Sequence, residues 1–229
     1  MARAKADKRP LTSERIEMAA LELIDREGLA GFSTRKLAGE LHCEAMSIYH
    51  YFPSKGHLLD ALVDRVVGEQ LTVLEPHAGD WRRRLEAAAR EWRTIALKRP
   101  HFHAYLALHR LNTPKALIWL NGIIGVFRQL GLGEETGVRA FRTFGYYLMG
   151  SLLDETAGYA RGPSTVDPVP DELLAAEYPN VAAAGKWFRP EQLEATFELG
   201  LKVMLDGIER ELAATASGAG GPIRSGTSK

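Results

Sequence analysis

Met46, Ser47, Tyr49 and His50 stand in the run TRKLAGELHCEAMSIYHY, residues 34–51, at positions that a short helix packed through Ile48 and Tyr51 leaves uncovered. On such a helix they can face a major groove, where sequence is read by hydrogen bonds and apolar contact to base edges. The positions around them fit that use. Leu37, Leu41, Cys43, Ile48 and Tyr51 are apolar, and small Ala38 falls where two helices must cross closely, which is the spacing of a helix-turn-helix that buries its elbow. The second of its helices is expected to start at about Ala45.

Charge placement sharpens the reading. Arg35 and Lys36 sit in a first helical turn after Ser33, a residue type that caps helices, and Lys55 sits in another after Ser54. Cations there oppose the helix dipole at a cost of roughly 0.3 to 1 kcal/mol each. A phosphate docked at each helix start reverses the sign, because free amides and the basic side chain then point at it together. The set flanks one recognition segment, as a backbone clamp would.

Residues from Leu11 to about Val67 can be assembled around the motif. A first helix has Thr12 as cap, Leu11 and Ile16 as a staple, and a stripe of Ile16, Ala19, Ala20, Leu23 and Ile24 that ends at Gly28. Phe32 and Leu37 form a second staple, and Phe52 with Leu58, Leu59 and Leu62 closes the bundle from below.

In this order, a helix ending at Gly28, then FSTRKLAGEL, then SIYHYFPSKGHLLDAL, the chain resembles the tetracycline-repressor-like one-component transcriptional regulators. The resemblance implies that Thr34, Arg35, Ala45, Met46, Ser47, Tyr49, His50, Tyr51 and Lys55 stand where members of the family touch DNA. It also implies a homodimer whose recognition helices lie about 34 Å apart, one turn of duplex. Two positions depart from the family pattern. His42 occupies the turn position that is usually Gly, which puts a non-glycine residue at positive φ, and Glu44 stands where Ser or Thr usually caps the recognition helix. A fainter likeness to the tetracycline-binding member runs through DWRRRL and FGYYLMGSLLDE. There Tyr105 and Leu108 replace its magnesium-binding His and a nearby Thr, leaving Asp154 as a lone acid, so neither tetracycline nor a metal is expected.

Enzyme chemistry finds no support. His101, His103 and His109 are two, six and eight residues apart, so no pair shares a helical face at the spacing metal ligands use. Phosphate-binding glycine loops, nucleophile elbows and paired cysteines are missing, and Asp154 and Glu155 diverge on a helix. Cys43, the single cysteine, falls at a motif core position and reads as a small buried apolar residue. No catalytic residue, metal or cofactor is expected.

With 229 residues, 45% hydrophobic and 25% charged, the chain can bury a core in one small and one larger domain. No apolar run reaches the roughly 18 to 20 residues of a membrane span, and MARAKADKRP lacks a signal-peptide core, so a cytoplasmic protein is expected. Net charge is zero, so affinity for DNA must come from a few placed contacts and from residues 1–10, a basic arm holding Arg3, Lys5, Lys8 and Arg9 against Asp7.

Beyond residue 70 only helical patterns appear. Expected helices run from Trp81, capped by Asp80, to about Lys98; from about His101 to Arg110; from Thr113 and Pro114 to the glycines 131 and 133, with a stripe of Leu117, Leu120, Ile123, Ile124 and Phe127; from about Glu134 to Tyr159; and from Pro190 to about Leu212. The last two are apolar on more than one face and so predict a four-helix interface with a second copy. Between them, residues 161–189 form a long connection with one short helix, DELLAAEY, and Trp187 and Phe188 as an anchor. Trp92, Phe102, Tyr105, His109, Trp119, Phe127 and Tyr147 are candidate lining residues for a largely apolar pocket, with at least half expected to serve packing alone.

The expected fold is all-α: a basic arm over 1–10, a three-helix helix-turn-helix domain over 11–67, a helix leading into a ligand-binding and dimerisation domain over 68–214, and a disordered tail over 215–229. The expected function is a sequence-specific, homodimeric repressor that a small apolar or aromatic effector releases from double-stranded operator DNA. Two alternatives stay open: a helical ligand- or protein-binding module that no longer reads DNA, and an activator of the same fold.

Overall fold

A computed structural model of the chain describes residues 10–72, 79–157 and 166–218, and among these the regular structure is helical throughout. The basic arm, apart from Pro10, lies outside the described residues, as does the tail beyond residue 218.

Four helices form the first unit, and local side chains start three of them. Thr12 accepts from the Arg15 amide at 3.2 Å to open α1 (Ser13–Gly31), Ser33 from Lys36 at 3.3 Å to open α2 (Thr34–Glu40), and Ser54 from His57 at 3.3 Å to open α4 (Lys55–Gly68). Gly28 interrupts α1 with φ 72° and ψ 167°, a backbone that only glycine takes without strain, so the helix kinks there and a last turn continues to Gly31. Between α2 and α4 lies the short α3 (Ala45–Tyr49). Ile16, Ala20, Leu23, Ile24, Leu37, Ala38, Leu41, Ile48, Phe52, Leu58, Leu59 and Leu62 make the buried core, as the pattern predicts, whereas Ala19 and Cys43, also expected there, are only half-buried and Tyr51, expected to pack the elbow, is exposed.

The larger unit begins with α5 (Trp81–Lys98), which Asp80 caps through the Arg83 amide at 3.0 Å, and Pro100 separates it from α6 (Pro100–Leu106). The latter is shorter than expected. Residues 107–109 leave it as a turn, and α7 (Pro114–Arg128) follows. On α7 the buried face is Ala116, Trp119, Ile123, Val126 and Phe127, while Leu117, expected on the stripe, is exposed. This helix is apolar on several sides, so its neighbours rather than its period choose the face.

Contacts α1–α6 and α4–α7 join the two units into one continuous core. They explain why Leu21 on α1 and Val63, Val66 and Val67 on α4 are fully buried although they lie off the stripe of the small bundle.

Two long helices, α8 (Glu134–Ala157) and α11 (Leu193–Ala216), complete the larger unit, with α9 (Asp171–Glu177), α10 (Pro179–Ala184) and two 3-10 turns, Gly185–Trp187 and Pro190–Gln192, between them. α11 extends through Thr215 and Ala216, residues expected in the tail. Trp187 and Phe188 do not anchor the connection in this chain: they are 60% and 68% exposed, and neither α9 nor α10 buries a residue. Arginines of α5 clamp the long pair. Arg93 holds Glu155 through two bonds of 2.9 and 2.7 Å, Arg90 holds Glu198 through two of 2.9 Å, and Arg82 reaches Asp206 at 2.7 Å.

Candidate nucleic-acid interface and effector cavity

The turn that aims α3 is a Schellman-type cap on α2: the Cys43 amide reaches the Ala38 carbonyl at 3.0 Å and the His42 amide reaches Gly39 at 3.2 Å. That geometry needs a left-handed residue, and His42 supplies it at φ 52°, as the departure from glycine predicts. Glu44 precedes α3 in extended conformation and makes no side-chain cap bond. Ile48 pins α3 to the core, with Ala45 half-buried beside it.

Met46 is 64% exposed, and Tyr49 and His50 are also exposed, while Ser47 is half-buried. Tyr51 keeps its ring outside but donates its hydroxyl to the Leu11 carbonyl at 2.6 Å, which fastens the end of the recognition segment to the root of the N-terminal arm.

The expected phosphate clamp divides. Lys36 is exposed but folded back along the surface: its ammonium bonds the Glu27 carboxylate at 2.7 Å and the Gly31 carbonyl at 2.9 Å, so its charge is already matched. The same contact holds the Glu27 carboxyl below its usual range, with Arg26 adding to the effect. Thr34 is half-buried, and Arg35 is exposed and makes no ion pair among the described residues. Lys55 lies over the Phe32 ring, 5.1 Å from its centroid, and spends one donor on the Phe32 carbonyl at 3.2 Å, which steadies the ammonium and leaves donors for a phosphate.

In the larger unit, the candidate lining residues fall into three groups. Trp92 and Trp119 meet edge to face at 5.3 Å and wall a partly open cavity of about 120 Å³ among α5, α6, α7, α8 and the α6–α7 connection. Both indole N–H groups are buried without an acceptor. Leu106, Leu111, Leu120, Phe144, Gly145 and Met149 are among the other residues of the wall. Leu106, Leu111 and Met149 escape a search by aromatic type, since they are aliphatic or thioether side chains on three different segments: α6, the α6–α7 connection and α8.

Tyr105 and His109 belong instead to an open groove of about 610 Å³ shared with Asp60 and His101, where the two units meet. Phe102, Phe127 and Tyr147 line neither space and are packing residues. Phe102 is wholly buried against Tyr105 at 5.9 Å, and Phe127 lies between Phe141 and Phe144, each at 5.8 Å. Tyr147 stacks on Phe197 and donates its hydroxyl to the Phe197 carbonyl, and burial pushes its phenol up to about 12.

Comparison with known proteins follows the same division. The family model described as bacterial regulatory proteins, tetR family, matches residues 17–62, and that of the tetracyclin repressor-like C-terminal domain matches residues 75–212. The chain belongs to the tetR family. Its relatives include the HTH-type transcriptional repressor DrrR1 of Streptomyces coeruleorubidus, 30% identical over 90% of this chain and 80% of that one. The tetracycline repressor protein class A from transposon 1721 of Escherichia coli is 32% identical over 84% of this chain and 88% of its own. Among solved structures, the Streptomyces coelicolor TetR family protein ActR in complex with actinorhodin matches with a TM-score of 0.68 at 25% identity, covering 93% of this chain and all of that one. The tetR-family chain is therefore an all-α helix-turn-helix transcription regulator.

Proposed function

We propose that this tetR-family regulator is a cytoplasmic, homodimeric repressor that a small aromatic effector carrying hydrogen-bond acceptors releases from its operator. Residues 11–67 read DNA, with Met46, Ser47, Tyr49 and His50 toward the bases and Arg35 and Lys55 toward phosphates, while residues 68–214 hold the effector and form the dimer. One observation carries the effector reading: a largely apolar cavity walled by Trp92 and Trp119, two residues whose buried indole N–H donors have no partner. Buried donors without acceptors are unfavourable, and a ligand carbonyl or hydroxyl relieves them. At about 120 Å³ the cavity is smaller than the roughly 300 to 1,000 Å³ of sites for drug-sized ligands. Filling it must therefore displace its walls, which is the differential contact that a release mechanism requires. A relative solved with actinorhodin supports a small-molecule site in this fold.

The test is operator binding followed by fluorescence anisotropy on duplexes from the region upstream of the chain's own gene, at low ionic strength, with random duplex as competitor. Specific binding is expected, and release should accompany quenching of tryptophan emission when aromatic ketones and phenols are titrated in. Quenching and release should both fail in Trp92→Phe/Trp119→Phe. Indifference to every duplex would leave a ligand- or protein-binding helical module as the better reading.

A further inference from the structure

We propose that the open groove where the two units meet is a second small-molecule site, separate from the effector cavity, and that it takes a zwitterion of amino-acid or dipeptide size between Asp60 and Arg110. The site does not depend on the repressor reading above.

The last turn of α1, α4, α6 and the α6–α7 connection bound the groove, and none of its lining residues lines the cavity. Its volume of about 610 Å³ falls within the roughly 300 to 1,000 Å³ of small-molecule sites.

Asp60 makes the acidic end. Its side chain is 55% exposed, and Oδ1 lies 2.9 Å from Nε2 of His109, which leaves the second oxygen without a protein partner among the described residues. The next acid along α4 is used differently: Asp64 accepts from the Lys115 amide at 2.7 Å and so caps α7 from another helix. No lysine or arginine among the described residues pairs with Asp60. Tyr105 stands beside it, with its ring 5.4 Å from that of His109 and its hydroxyl free of any hydrogen bond among the described residues. Burial, and then the Asp60 charge, push its phenol up. A carboxylate beside a tyrosine ring suits an ammonium group.

Arg110 makes the basic end. It is exposed and has no ion pair among the described residues, while the Asn112 amide closes a turn on its carbonyl at 2.8 Å and fixes its backbone beside the groove. The imidazole of His101 is spent elsewhere, since its Nδ1 donates to the Asp25 carbonyl at 2.9 Å. Asp60 and Arg110 therefore line one space without meeting each other. Leu29, Ala104 and Leu108, the last 85% exposed, supply apolar surface in the same groove. A ligand with an ammonium, an apolar body and a carboxylate matches all three parts. One with a single charge leaves Asp60 or Arg110 unmatched.

The test is calorimetric titration of the full chain with three ligands, each to about 10 mM: the dipeptide Leu-Leu, its C-terminal amide, which lacks the carboxylate, and its N-acetyl form, which lacks the ammonium. Saturable binding is expected for Leu-Leu, and binding weaker by roughly 10-fold for each singly charged form. Asp60→Asn keeps an oxygen for His109 and should weaken Leu-Leu by roughly 10-fold while leaving the N-acetyl form unchanged. Arg110→Gln should weaken Leu-Leu to the same extent and leave the amide unchanged. Trp92→Phe/Trp119→Phe should bind Leu-Leu as the parent does. Failure of Leu-Leu to saturate, or equal affinity for all three ligands, overturns the proposal without any substitution. Loss of binding in Trp92→Phe/Trp119→Phe overturns it as well, because the ligand then occupies the cavity. None of these outcomes bears on operator binding, so the repressor reading stands or falls separately.

Discussion

Gly200 on α11 lies against the ring of Tyr147 on α8: a β-carbon placed on it falls 2.5 Å from Tyr147 Cε2 and 2.8 Å from the hydroxyl oxygen. The ring cannot step aside, since it stacks on Phe197 and donates its hydroxyl to the Phe197 carbonyl. Gly200→Ala gains up to about 1 kcal/mol of helix propensity but overpacks the helix pair at a cost of about 1 to 3 kcal/mol. Net destabilisation of about 1 to 2 kcal/mol is expected in chemical denaturation. Gly125→Ala on α7, where nothing lies within 4 Å, should instead stabilise. Equal effects at the two sites would show that the Tyr147 contact is not limiting.

Salt dependence separates the basic residues of α2. Arg35 has no ion pair among the described residues, whereas Lys36 is matched to Glu27. Removing one cation from a phosphate flattens the slope of log affinity against log salt by about 0.9. Arg35→Ala should therefore flatten it by about 1 per subunit, and Lys36→Ala should leave it unchanged. The reverse ranking would return the clamp to Lys36.

The turn between α2 and α3 makes its own prediction. His42 holds φ 52°, a conformation that costs an L-residue roughly 1 to 2 kcal/mol. Glycine removes this strain but adds unfolded-chain freedom worth about 0.4 to 1 kcal/mol, so His42→Gly should change stability by less than about 1 kcal/mol and keep operator binding. A β-branched residue has no such relief. His42→Val should cost about 1 to 3 kcal/mol and misaim α3. Tolerance of valine in both denaturation and binding assays would remove the turn from the account of how the recognition helix is aimed.

These contrasts show what local sequence carries. Thr12, Ser33, Ser54 and Asp80 cap amides three residues ahead, so helix starts are legible from short windows. The exposed positions of α3 are legible for the same reason, since a short motif with one buried anchor leaves little choice. Lys36 is not, because its partner Glu27 lies across a glycine kink, and the Asp64 cap of α7 joins residues 51 apart. Aromatic type marks burial but not location. Trp92 and Trp119 face a cavity while Phe102 and Phe127 fill the core, and the difference is set by which helices approach them.

The outer face of α11 should carry the dimer. Leu199 and Val203, one turn apart, are 63% and 58% exposed, and Tyr146 on α8 is exposed as well. Val203→Asp places a charge in that contact and should give a monomer by light scattering. Operator affinity should drop by roughly 10²-fold, because two half-sites no longer bind as one. An unchanged dimer mass would move the interface elsewhere.

Burial of His103 on α6 makes stability depend on pH in the acid range. The residue is 1% exposed, neither ring nitrogen has a partner, and burial lowers its pKa from 6.5 to about 4. The unfolded chain thus takes up a proton near pH 6.5 that the folded chain refuses until about pH 4. Stability from this residue is complete above pH 6.5, falls as pH drops, and levels off below about 4, a total loss of about 3 kcal/mol. His103→Leu, close in volume and free of unpartnered nitrogens, should be as stable as the parent at pH 7 or more so. It should also lose about 3 kcal/mol less between pH 6.5 and 4. Urea denaturation of both proteins across this range checks the sign, and parallel curves would show that His103 is already protonated in the folded chain.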